Sequence, residues 1–167
     1  MTIDVLPTIA HLVGAKLPDH PIDGKNIWPL ICGEEGAKSP HEAYFYYYGT
    51  QLQAARMGKW KLHFPHGYRT LAGRPGGTGG TPVAYEQAKI GLALFDLESD
   101  VGETTDVKDQ HPEVVAKIEA LADRMRADLG DSSRKQKGSG KREPGRLAEG
   151  DLRFEWKPGE PLQVEAK

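Results

Sequence analysis

Residues 51–64, QLQAARMGKWKLHF, decide the fold. Polar and apolar side chains alternate strictly over 59–64, so Trp60, Leu62 and Phe64 share one face of a strand while Lys59, Lys61 and His63 share the other. Gly58 and Lys59 separate this run from the mixed run 51–57, and the glycine supplies the turn conformation of a tight hairpin with one apolar face. Upstream, residues 43–48 (AYFYYY) are rich in strand-forming aromatics; downstream, residues 92–97 (LALFDL) read as a fourth strand. The next readable element is a helix over Pro112–Leu129. Pro112 fits its first turn and Glu113 the positive end of its dipole. Val114, Val115, Ile118, Leu121, Ala122, Met125 and Leu129 form its apolar stripe, with Arg124 and Arg126 near its end and Gly130 beyond it. These elements predict an α+β fold: a small antiparallel sheet of about four strands packed on one long C-terminal helix, with long loops and a flexible tail.

Residues 4–13 predict a short helix with Asp4 as its cap, Pro7 in its first turn, apolar residues Leu6, Ile9, Ala10 and Val13, and Gly14 as its stop. A helix this short needs a partner surface; residues 1–14 therefore read as a truncated linking helix. Residues 15–41 form a loop rich in Pro and Gly, broken by the apolar stretch 27–31 (IWPLI). Residues 65–91 read as a second loop, glycine-rich at 73–80 and far longer than the usual connection of about 4 to 6 residues. From 131 to 146 six Lys/Arg stand against two Asp/Glu, and no helical period follows, so 131–167 is expected to be a flexible basic and mixed tail.

Composition bounds the function. A chain of 167 residues with net charge −2 fits one domain and carries no chain-wide basic field for nucleic acid. The tail lacks the interleaved aromatics of single-strand binders. One cysteine, Cys32, excludes an internal disulfide framework and a thiolate zinc site. No apolar run reaches membrane-spanning length and no export signal is written in these residues.

Few constellations could carry chemistry. Asp96, Glu98, Asp100 and Glu103 cluster like calcium ligands, but Val101 and Val107 stand where an EF-hand loop needs Gly and Glu, so a capped turn is expected. The glycines at 76, 77, 79 and 80 lack the Gly-Lys-Ser/Thr of a phosphate loop. Cys32 has acidic neighbours and no nearby base, unlike a catalytic thiolate. His63 and His66 flank Pro65, with Lys61 on the face of His63 and Arg69 just beyond. Such groups could hold an anionic substrate or donate a proton, although the polar face of a strand is ordinarily solvated. His11, His20, His41 and His111 are scattered and read as surface residues.

The order of landmarks resembles the C-terminal part of type I sulfatases of the arylsulfatase A kind. Asp4-Val5-Leu6-Pro7-Thr8-Ile9 with Gly14, Ile22-Asp23-Gly24 before Trp28-Pro29-Leu30, and Arg56-Met57-Gly58-Lys59-Trp60-Lys61-Leu62-His63-Phe64 come first. Leu94-Phe95-Asp96-Leu97 with Asp100, Glu103 and Asp106, then His111-Pro112-Glu113-Val114, follow in the family's order. The match runs from residue 2 to about 131, and residues 68–91 look like the variable insert of bacterial polysaccharide-type members. The resemblance implies residues 15–130 as a C-terminal subdomain that shapes the substrate cleft beside a catalytic N-terminal α/β domain, absent here. It implies formylglycine and calcium for the full-length parent and neither for this chain, because no position matches the nucleophile, the calcium ligands or the sulfate-clamping pairs. Around Cys32, Glu34 and Gly36 stand where the motif needs Pro or Ala and then Arg. The implied partners are that N-terminal domain and a sulfated carbohydrate or aryl sulfate, met here by Lys61, His63, His66 and Arg69, with no nucleic acid and no membrane. Parents are commonly periplasmic or secreted, with the signal on the absent part; on its own the chain is expected to be inactive. The competing reading is a stand-alone, non-catalytic binding or assembly module derived from a sulfatase.

Overall fold

The computed structural model describes residues 1–146 and Gly159. Four strands, β1 (Tyr44–Tyr48), β2 (Gln51–Met57), β3 (Trp60–His63) and β6 (Ala93–Asp96), form one antiparallel sheet in the order β1-β2-β3-β6. Between β2 and β3 the turn has two residues, and Gly58 at its first position takes φ 58°, the left-handed backbone that a side chain would oppose. Helix α3 (Pro112–Leu129) lies across one face. Ile118 and Ala122 meet Leu52, Ala55, Leu62, Phe64 and Leu94 there in a closed apolar cluster, with Val114, Val115, Trp60 and Met57 around it. The period of two in β3 and the helical period of α3 thus point at each other, which is what makes the sheet and the helix one unit.

The helix end is held by a buried charge. Arg126 is 1% exposed; its Nε donates to Asp131 at 3.0 Å, an Nη donates to Asp123 at 2.7 Å, and its guanidinium lies 4.3 Å from the centre of the Phe64 ring. Asp131 in turn accepts from the amide and hydroxyl of Ser133, and these bonds hold its carboxyl below the ordinary carboxylate range although burial acts the other way.

Two segments differ from the sequence reading. Residues 65–91 are not all loop: β4 (His66–Thr70) and β5 (Glu86–Ile90) pair antiparallel as an arm between β3 and β6. Only the glycine-rich part, 71–85, connects them, with Arg74 bonding the carbonyls of Leu71 and Ala84 across it. The tail also begins in structure. β7 (Gly130–Asp131) pairs with β8 (Gln136–Lys137) around a short 3-10 turn, and Arg142 reaches back to Asp23. The expectation for 147–167 lies outside the described residues apart from Gly159.

Within the loop 15–41 the apolar stretch closes a single turn, α2 (Trp28–Ile31). The first helix, α1 (Val5–Val13), ends at Gly14 with φ 67°. Asp4 makes no side-chain cap to it; its buried carboxylate instead accepts from the Lys25 amide and meets His41 Nε2 at 2.7 Å. Val5, Leu6, Ile9, Leu12 and Val13 are all exposed, Val13 by 70%.

Arg126→Met is expected to cost about 3 kcal/mol or more, because it strands a buried carboxylate, read as a lower urea midpoint. Adding Asp131→Asn should recover at least about 1 kcal/mol of that loss.

Candidate functional site

The face of the sheet turned away from α3 carries the titratable cluster. Alternation along β3 puts Lys61 and His63 there, opposite the buried Leu62. His63 is paired with Ala54 on β2 and Ala93 on β6; flanked by two methyl groups, its ring sinks between neighbouring strands. Phe95 closes the slot edge-on, with ring centres 5.6 Å apart.

Glu103 arrives from the acidic turn after β6. Its carboxylate accepts from Lys61 Nζ at 2.6 Å and meets His63 Nε2 at 2.7 Å. Its backbone stands at φ 54°, a conformation that costs a non-glycine residue on the order of 1 kcal/mol. The turn is fixed by Asp100, which accepts from the amides of Thr104 and Thr105, and by Asp96, which accepts from Lys59. Of the four carboxylates that cluster like calcium ligands, Asp96 and Asp100 thus fasten strand and turn, Glu98 is exposed with Lys59 3.6 Å away, and Glu103 joins the network.

A carboxylate only accepts, so His63 Nε2 carries a proton and Nδ1 is left with its lone pair. That Nδ1 is buried and has no hydrogen-bond partner among the described residues. Burial, and next the Lys61 ammonium, push His63 below its ordinary value of 6.5, against the pull of Glu103. Burial alone would raise Glu103, yet the hydrogen bonds from Lys61 and His63 outweigh it and hold the carboxyl low. The imidazole is thus neutral near pH 7, beside an ion pair that compensates itself. His66 stacks on it, ring centres 5.4 Å apart and planes 17° apart. The Phe64 carbonyl lies 2.7 Å from His66 Nδ1 and can only accept, so the proton is on Nδ1 and Nε2 remains available as an acceptor.

The structure brings Lys61, His63 and His66 together and separates Arg69 from them. His66 and Arg69 lie three positions apart on β4, and an odd spacing on a strand means opposite faces. Glu103 is the member that sequence reasoning missed as a partner of this site. It is 42 residues from Lys61 and 40 from His63, and no local pattern announces such a pairing.

Residues 39–145 match the family described as the C-terminal region of aryl-sulfatase. The chain is 37% identical to mouse (Mus musculus) steryl-sulfatase over 141 residues, covering 76% of this chain and 22% of that protein. It is 32% identical to human arylsulfatase A over 133 residues, 72% of this chain and 25% of that protein. A solved chain from work on glycosaminoglycan metabolism by Bacteroides thetaiotaomicron superposes with a TM-score of 0.50 at 20% identity, covering 74% of this chain and 24% of that one; this likeness concerns the fold. The chain therefore belongs to the sulfatase family, and the part matched is its C-terminal region. It spans about a quarter of the length of these relatives.

The groups that the resemblance implies for a full-length sulfatase find no holders among the described residues. Among the described residues no three His, Cys, Asp or Glu side chains converge as metal ligands. Cys32 is exposed at the end of α2, its thiol 3.6 Å from the Pro29 carbonyl. The described residues thus fit neither calcium nor a formylglycine.

Replacing Glu103 by Gln removes the charge that pulls His63 upward, so the His63 imidazole should titrate at still lower pH, followed by NMR. The unfolded chain takes up the His63 proton first, so stability at this site is full above pH 6.5 and falls as pH drops toward the lower folded value.

Proposed function

We propose that this chain is the C-terminal subdomain of a sulfuric ester hydrolase, docked through α1 onto a catalytic α/β domain and lending the sheet face of His63 to the rim of the substrate cleft. The observation that carries this reading is the exposed stripe of Val5, Leu6, Ile9 and Val13, on a helix of only nine residues. An isolated helix of that length is marginal in water and an apolar face of that kind ordinarily meets another surface. About three quarters of each relative's length lies outside the part matched here, so a further domain is the occupant the comparisons favour. The notional boundaries 1–14, 15–130 and 131–167 follow from this division.

On that reading the nucleophile and calcium belong to the catalytic domain, and this chain alone is inactive. Its contribution is recognition. Lys61 is committed to Glu103, so the group facing substrate is the His63–His66 stack. His66 Nε2 accepts a hydroxyl proton when neutral and, when protonated, meets an anionic sulfate ester of a sugar or aryl alcohol. Nucleic acid is disfavoured because Arg134 and Arg142 of the basic segment are paired with Asp123 and Asp23. No described helix is long and apolar enough to cross a membrane.

Reading the codons in frame upstream of Met1 tests the assignment. A Cys/Ser-X-Pro/Ala-X-Arg within an α/β domain supports it, and a stop codon with no such partner frame turns the α1 face over to a stand-alone binding module. In the joined enzyme, His66→Ala should raise KM for the sulfate ester about tenfold, a loss of about 1.4 kcal/mol, with kcat nearly kept; unchanged KM removes the stack from the cleft. For this chain alone, Ile9→Lys with Val13→Glu should lower hydrophobic-dye binding and self-association without lowering the melting temperature.

A further inference from the structure

A groove of about 340 Å³ lies between the β4–β5 arm and the adjoining end of the sheet, lined by Tyr48, Gln53, Gly67, Tyr68, Arg69 and Gln87. Its lining is assembled by two features of the backbone. Along β1 and β2, Tyr46 pairs with Ala54 and Tyr47 with Leu52, so Gln53 is the extra residue of a β-bulge; bulges re-aim the side chain they carry. Across the arm, Arg69 is directly opposite Gln87, which sets the guanidinium and a carboxamide side by side.

Arg69 is exposed and has no hydrogen-bond or ion-pair partner among the described residues. Arg56, Arg74, Arg124, Arg126, Arg134 and Arg142 each have at least one, whereas Arg146 at the end of the described residues shares with Arg69 the lack of one. No carboxylate lines the groove, so nothing in its wall neutralises that charge. The guanidinium fork matches two oxygens of a sulfate or carboxylate. The Gln87 amide both donates and accepts, as sugar hydroxyls require, and Gln53, whose Nε2 donates to Gln51 Oε1 at 3.3 Å, keeps its own carbonyl oxygen to accept. Tyr48, 67% exposed, offers an aromatic face to the C–H side of a ring.

We propose that this groove binds an anionic sugar residue, a sulfated monosaccharide unit of a sulfated carbohydrate, with Arg69 on the sulfate, Gln53 and Gln87 on hydroxyls and Tyr48 against the ring. Its volume lies near the lower end of the range of about 300 to 1,000 Å³ for ligand pockets, so it takes one ring rather than a chain. The proposal deepens the proposed function and rests on it for the sulfate-ester chemistry. It places a second subsite at the edge of β4, with Arg69 on the strand face opposite His66.

The test titrates the full chain with a chondroitin 4-sulfate disaccharide and with its desulfated counterpart, by calorimetry or NMR. The sulfated sugar should bind at least about tenfold more tightly. Arg69→Gln should abolish that preference and Arg69→Lys restore part of it, while Tyr48→Ala weakens both sugars; both residues are exposed, so the fold is not at stake. Absence of binding, or a preference for the sulfated sugar that survives Arg69→Gln, overturns the proposal. Binding lost in His66→Ala but kept in Arg69→Gln overturns the groove and leaves the cleft-rim reading standing. Groove binding as expected, with unchanged KM for His66→Ala in the joined enzyme, removes the His63–His66 stack from the cleft and leaves the groove in place.

Discussion

The structure depends on one-sided burial. Helix α3 covers a single face of the four-stranded sheet, and the contact of Ile118 and Ala122 with Ala55, Leu62 and Leu94 closes the core. Each large apolar side chain fully buried there contributes about 1.5 to 3 kcal/mol. No described helix lies across the other face, so it is finished by different means. Ala54 and Ala93 are small enough to be covered by the His63 ring between them, and Lys61 lies with its ammonium 4.9 Å from the centre of the Tyr46 ring. The polar network is thus what closes that face, and chemistry and packing share the same residues.

That sharing explains the behaviour of His63. An imidazole set in a slot among alanines and Phe95 is desolvated, and a desolvated imidazole favours its neutral form. Glu103 offsets part of this and fixes which nitrogen holds the proton, at the expense of a left-handed backbone. The orphaned Nδ1 is the residual cost of that choice.

The main sheet and α3 were legible because their periods are local. Alternation over Trp60, Leu62 and Phe64, and the stripe from Val114 to Ala122, can be read without knowing what lies opposite; at the helix end the stripe fails, Leu129 being exposed and Arg126 buried. The arm was not legible. Its strands are joined by fifteen residues with no tight-turn signature, and Gly67 and Lys89 weaken the strand pattern on each side. Nor was the β7–β8 pairing, because a basic run rich in Ser and Gly reads as solvated chain; what orders it is Asp131, bonded to Arg126 inside the fold. Lys61, His63, His66 and Arg69 are near one another in the chain, which suggested one anion site. The strand period divides them, since Arg69 falls on the far side of β4.

The arm has a further consequence. Strands β3 and β6 pair directly, His63 opposite Ala93, and everything from 65 to 91 leaves and re-enters the sheet at that one rung. Lengthening, shortening or exchanging the segment alters neither the register of the core strands nor the seat of α3. The cost of a longer loop rises only logarithmically with its length. The arm is therefore a segment whose reach is set independently of the scaffold beneath it, joined to the core at a single rung.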